Sequence, residues 1–181
     1  MEKATIFIDG GYLNRILRDE FKEPDIDYAK LCDSICSDLK LDRLRTYFYH
    51  CLPIVREGNL KDRKKEARMQ KFLSKLKRLP RFEVKLGRLQ FIGGQFKQKM
   101  VDILMSLDIV GMCFDKQINH AILIAGDSDF IPAIKKAKNY GAIIHLYYHP
   151  VSVHTEILDE VDELHTFSLE LIQKSKIEKN Q

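Results

Sequence analysis

The sequence predicts an α/β protein, a parallel sheet with helices on both faces. Three observations point there. Ala4-Thr5-Ile6-Phe7-Ile8 and Ala121-Ile122-Leu123-Ile124-Ala125 are almost wholly apolar, as strands buried on both faces of a parallel sheet are. Strand-like and helix-like segments alternate along the chain, which is the pattern of such folds. Both apolar runs end in acidic turns, Asp9-Gly10-Gly11 and Gly126-Asp127-Ser128-Asp129, and sites in open α/β sheets form beyond the carboxyl ends of strands.

The elements follow in order. After the first strand, Tyr12 to Phe21 reads as a short helix that Pro24 stops, and Tyr28 to Leu39 as another. Leu44 to Cys51 alternates basic with aromatic or aliphatic residues and reads as a strand. A loop holding Pro53 and Gly58 leads to a basic helix that stops at Pro80. Phe82 to Leu86 is a strand, which Arg88 to Ile92 either continue or pair beside, and Gly93-Gly94 is a turn. Lys99 to Phe114 has an amphipathic helical pattern. The second apolar strand is followed by a helix from about Phe130 to Tyr140, with Pro132 in its first turn, where a missing N–H costs little. Gly141 caps that helix, and Ala142 to Tyr147 is the next strand. Beyond Pro150 lie a short acidic stretch and a last helix near Ser168 to Lys176. The reading is one domain over residues 1–150, with a C-terminal extension over 151–181 that packs on or extends it.

The chain has 181 residues, 45% hydrophobic and 31% charged. That length carries a sizeable core without staples, and that balance excludes a disordered or collagen-like chain. No apolar run reaches the length of a membrane span. Met1-Glu2-Lys3 runs straight into a strand, which predicts no signal peptide. The four cysteines then read as reduced thiols in a cytoplasmic protein. The net charge of +4 is modest, but its distribution is not. Lys61 to Arg81 holds ten basic residues against Asp62 and Glu66, whereas His154 to Glu170 carries acids and no Lys or Arg. The basic stretch is a candidate contact for a phosphate backbone. It is also a solvated helix face, since Met69, Phe72, Leu73, Leu76 and Leu79 give it an apolar stripe at helical spacing.

If the two apolar strands are neighbours, Asp9, Asp127 and Asp129 meet at one edge. Like charges so placed are tolerable around a cation, and hard oxygen ligands suit Mg²⁺ or Mn²⁺. Taken singly, each acid has a plainer reading as a turn former or cap, and so does Ser128. Asp102 is a further candidate: it stands within the apolar run Met100-Val101-Asp102-Ile103-Leu104, where an unpaired carboxylate is costly, although the helix dipole also favours an acid in a first turn. Asp108 stands six residues on, which puts it on another face of the helix, as a support for the site or a partner for a base.

These residues carry a resemblance. Ile6-Phe7-Ile8-Asp9-Gly10-Gly11, the block from Lys99 to Asp108, and Leu123-Ile124-Ala125-Gly126-Asp127-Ser128-Asp129-Phe130-Ile131-Pro132-Ala133 resemble, in order along residues 4–148, the NYN domain of the LabA-like family within the PIN-like nuclease superfamily. The resemblance implies a Rossmann-like sheet and a Mg²⁺- or Mn²⁺-dependent ribonuclease site. Asp9, Asp102, Asp127 and Asp129 fall on the family's acidic positions, and Asp108 on its second helical acid. Two positions depart from the pattern: Tyr12 stands where the family often has Asn, the nearest here being Asn14, and Met100 where it often has Gly.

The reaction so implied is metal-assisted hydrolysis of RNA, single-stranded RNA foremost. Asp9, Asp102, Asp127 and Asp129 hold the ion, and Ser128 contacts a phosphate oxygen or supports the site. Asn14, Arg15, Lys61, Lys64, Lys65 and Lys99 are the candidate backbone contacts; Arg15 and Lys99 could instead be charge partners of an Asp. Two alternatives stand beside it. One is a non-catalytic RNA-binding or regulatory protein on the same fold. The other is a phosphatase of the haloacid dehalogenase type, which needs a second Asp two residues after the first, where this chain has Gly11. Association of the chain with itself is left open. Cys32 and Cys36 share a helix face but lack paired zinc-ligand spacing. His145, His149 and His154 show no ligand spacing and read as strand and loop histidines.

Overall fold

The computed structural model describes residues 1–92 and 95–177, with the backbone alone at 88–92 and 95–99. Its strands are β1 (Lys3–Asp9), β2 (Asp42–Cys51), β3 (Phe82–Ile92), β4 (Gln95–Lys99), β5 (His120–Ile124), β6 (Ile143–Tyr148) and β7 (Glu163–Thr166). Its helices are α1 (Gly10–Asp19), α2 (Tyr28–Asp38), α3 (Leu60–Leu76), α4 (Val101–Phe114), α5 (Ile131–Asn139), α6 (Thr155–Leu158) and α7 (Leu169–Lys174). They form a seven-stranded sheet in the order β4-β3-β2-β1-β5-β6-β7. Six strands run parallel; β4 returns antiparallel beside β3. The architecture is the Rossmann-like α/β sheet expected.

β1 and β5 lie side by side at the centre, Ile6 against Ile122 and Ile8 against Ile124. That position explains their apolar composition. Ile6 and Ile8 pack with Leu13, Ile16, Leu31 and Ile35 of α1 and α2 on one face, while Phe7 packs with Met105 and Ile109 of α4 and Ile134 of α5 on the other. Alternate residues thus feed opposite layers. The chain builds outward from β1 through β2 to the β3–β4 hairpin, then crosses back through α4 to β5 and continues outward to β7. Strand order therefore reverses between β1 and β5, which opens a crevice at their carboxyl ends.

Local chemistry sets the helix starts. The Asp9 carboxylate accepts a hydrogen bond of 3.0 Å from the Tyr12 amide, so α1 begins at Gly10 and not at Tyr12 as the sequence pattern predicts. A side chain at Gly10 would collide with the Phe48 ring, 2.5 Å away, and with the Tyr49 carbonyl. Lys99 closes β4 and does not open the helix; Met100 between them takes the left-handed conformation, with φ of 84°. The Gly93-Gly94 turn lies outside the described residues. In the acidic stretch, Glu163–Thr166 pair with β6 as a seventh strand, and α7 packs on α2. The four cysteines are free and buried, and among the described residues no helix is long and apolar enough to cross a membrane.

Candidate metal centre

Four acids reach the crevice from three directions. Asp9 ends β1, Asp127 and Asp129 follow β5, and Asp102 stands in the first turn of α4. Burial pushes the Asp9 carboxyl above its usual range, with a further push from Asp127; amides of Tyr12 and Gly11 and the nearby Arg15 oppose it. Asp102 moves further, to about 6, first through burial and then through the negative charges of Asp9, Asp127 and Asp129. Asp102 has no hydrogen-bond partner among the described residues. The fold therefore brings Asp9, Asp127 and Asp129 within electrostatic reach of Asp102, with Asp102 and Asp129 lining one cavity and Asp9 and Asp127 another. Such a donor set fits a hard divalent cation, which would convert repulsion into ligation.

Two cavities flank the acids. One, of about 720 Å³, is lined by Asp102 and Asp129, by Met100, Ile103, Leu107 and Val110 of the α4 side, and by Lys136. The other, of about 670 Å³, is lined by Asp9, Asp127, Tyr12, Arg15 and the segment Val151 to His154. Gly126 lines the second cavity. A Cβ there would come within 2.3 Å of the Tyr12 ring and 2.4 Å of the Ser152 carbonyl, so only glycine lets these three segments close around the acids.

A family model, the NYN domain, matches residues 3–170. The chain belongs to the NYN domain family. NYN domains fall in the PIN-like nuclease superfamily, whose members are generally divalent-metal dependent and RNA-associated. The uncharacterized protein y4oD of Sinorhizobium fredii is 39% identical over 69 residues, covering 38% of this chain and 32% of that protein; the chain thus spans about a third of that relative's length. A crystal structure of a protein of unknown function from Vibrio parahaemolyticus shares the fold, with TM-score 0.66 and 19% identity over 97% of this chain and 96% of the other.

Around the quartet, this NYN domain arranges the remaining candidates unequally. Asp127 Oδ1 accepts a hydrogen bond of 3.0 Å from the Asp129 amide, closing a short 3-10 turn. The Ser128 hydroxyl lies 3.2 Å from His154 Nδ1, which is itself 3.6 Å from Asp127 Oδ1. Asp108 is not brought to the acids. It receives Lys85 Nζ at 2.8 Å and the Tyr49 hydroxyl at 2.7 Å, so its place is a buried-edge ion pair joining α4 to β2 and β3. The six-residue offset from Asp102 turns it to that side. Arg15 lies over the Tyr12 ring, beside the crevice, while Asn14 turns away and receives the Tyr28 hydroxyl at 3.4 Å. Lys61, Lys64 and Lys65 are exposed on the first turns of α3, at the same edge of the sheet but not in the cavities. The Lys99 side chain lies outside the described residues.

Sequence reasoning missed two groups at the crevice. His154 comes from a loop with no periodic pattern; the signal that places it is its amide, which donates to the Gly126 carbonyl at 2.8 Å. Lys136 lies one turn beyond Pro132 on α5, on the face that meets α4, a relation visible only once the crossover is known.

Proposed function

We propose that this NYN domain is a Mg²⁺- or Mn²⁺-dependent ribonuclease of the LabA-like kind, acting on single-stranded RNA in the cytoplasm. The observation that carries the reading is the placement of Asp9, Asp127, Asp129 and Asp102 at the switch point of the sheet, at the ends of β1 and β5 and in the first turn of α4. Asp9, Asp102, Asp127 and Asp129 would hold the ion. When bound, such an ion acidifies water and neutralises charge developing on a phosphate.

The chain's own residues do the rest. Backbone amides fix Asp9 and Asp127 in place, so these two donors are oriented before any ligand arrives. Arg15 and Lys136 stand in the two flanking cavities, where each can pair with a phosphate on either side of the cleaved bond. The apolar wall of Met100, Ile103, Leu107 and Val110 offers unstacked bases a surface, which favours single strands over duplex. Lys61, Lys64 and Lys65 extend the cationic track along the same edge, and Ser128 with His154 closes the rim.

The test is cleavage of end-labelled single-stranded RNA with Mn²⁺. Asp127→Asn should lower the rate by about a hundredfold or more, equivalent to roughly 2.7 kcal/mol of barrier. Undiminished cleavage by that variant rejects the assignment. Mn²⁺ and RNA binding without cleavage would instead favour the non-catalytic RNA-binding reading.

A further inference from the structure

A second cluster of ligating side chains lies well away from the acids, on the sheet face that α2 and α7 cover. In the parallel β6–β7 pair, His145 lies opposite Glu163 and Tyr147 opposite His165. Residues two apart on a strand share a face, so Glu163, His165 and His145 converge. We propose that His145, Glu163 and His165 form a binding site for a Zn²⁺-class transition-metal ion.

The spacing of the donor atoms carries the first argument. His145 Nδ1, His165 Nε2 and Glu163 Oε2 are 3.3, 3.5 and 3.2 Å apart. They make a nearly equilateral triangle. A tetrahedral centre with bonds of about 2.0–2.1 Å has ligand–ligand edges of about 3.3–3.4 Å. An octahedral Mg²⁺ shell at similar bond lengths has shorter edges, about 3.0 Å. Two imidazoles and one carboxylate are also a donor set of zinc-type chemistry and differ in kind from the all-carboxylate quartet.

Proton accounting supplies the second argument. His120 Nε2 lies 2.8 Å from the Glu2 carboxylate, which only accepts, so that nitrogen carries a proton. In the neutral tautomer His120 Nδ1 accepts from His145 Nε2 at 2.9 Å. With that tautomer His145 Nδ1 presents a lone pair to the Glu163 carboxylate at 3.2 Å, an arrangement that a bridging cation satisfies. A proton on His165 Nε2 satisfies one contact and leaves those two acceptors opposed. A cation at the triangle resolves all three contacts. The Glu2–His120–His145 chain is also the usual support of a metal-bound imidazole, whose second nitrogen donates to a neighbour and fixes the tautomer.

Access is asymmetric. The His145 side chain is 3% exposed, whereas His165 is 24% and Glu163 50% exposed. The site thus has a buried anchor and an open side for water as fourth ligand. Its effect would be to clamp the four-residue edge strand β7 to β6 and, through it, to hold α7 on α2.

The experiment uses the full, tag-free chain freed of metal and then saturated with Mg²⁺ to occupy the acids. Zn²⁺ is titrated by calorimetry, and Co²⁺ is added to read the visible bands of a tetrahedral centre. One equivalent of Zn²⁺ should bind and raise the melting temperature. His165→Gln and Glu163→Gln, both on the exposed side, should each raise the Kd on the order of a hundredfold while leaving the fold intact by circular dichroism. Asp102→Asn should leave the zinc affinity unchanged, so failure here and failure of the nuclease reading are separable. Three results overturn the proposal: no zinc uptake, which means a proton-held cluster; uptake unaffected by His165→Gln; or uptake lost with Asp102→Asn instead.

Discussion

Asp102→Asn should make the metal-free protein more stable. The folded chain raises this carboxyl from 3.8 to about 6. A group held above its ordinary value binds its proton more tightly in the folded state than in the unfolded one. Its charged form therefore costs stability, a cost absent below about pH 4, growing as pH rises towards 6 and constant above about 7. A rise of that size sets a ceiling of roughly 3 kcal/mol; half-burial in contact with water brings the expected figure to about 1–3 kcal/mol. Asparagine keeps the shape and removes the charge, so the variant should gain that amount at pH 8 and nothing at pH 4. For a chain of this length the gain corresponds to roughly 2–12 °C in melting temperature. The assay is urea unfolding in EDTA across pH 4–8. Mn²⁺ should reverse the order: at a thousand times its Kd it adds about 4.1 kcal/mol to the wild type and far less to the variant. A variant no more stable than wild type at pH 8 in EDTA would refute the claim that the fold compresses these charges.

Gly126→Ala should cost about 2–4 kcal/mol, because the new Cβ meets a ring and a backbone carbonyl that cannot both retreat; chemical denaturation reads it. Met100→Gly should stabilise the chain by roughly 0.5–1 kcal/mol by relieving the left-handed backbone at φ 84°, measured the same way. Tyr49→Phe removes the 2.7 Å hydrogen bond to Asp108 and should cost about 1–2 kcal/mol without changing Mn²⁺ affinity in calorimetry, since Asp108 stands apart from the quartet.

What was legible in the sequence follows from how strongly position constrains composition. β1 and β5 are central and covered on both faces, so nearly every residue had to be apolar, and their acidic ends stood out against that background. α4 announced itself by an apolar stripe, and Asp102 by interrupting it. β7 was hidden because an edge strand of four residues, with polar groups outward, needs only the backbone of β6 to form, and no periodicity marks it. With β7 unseen, Glu163 and His165 had no common face, and His145 looked like an isolated strand histidine. His154 and Lys136 were hidden for a related reason: a loop contact and a helix–helix contact, both across long stretches of chain, bring them to the crevice. The position of Met100 shows the reverse. The related pattern's glycine there has a physical basis in the positive φ, which this chain bears with a side chain attached.

The reversal of strand order between β1 and β5 has a temporal corollary. Asp9 leaves the ribosome early, yet its carboxylate neighbours at 102, 127 and 129 lie more than half the chain later. A nascent polypeptide can thus display a lone acid until residues 102–129 emerge, and acquires the full constellation only after β5 slots in beside β1. Any chemistry those groups perform is withheld until β5 has emerged and paired with β1.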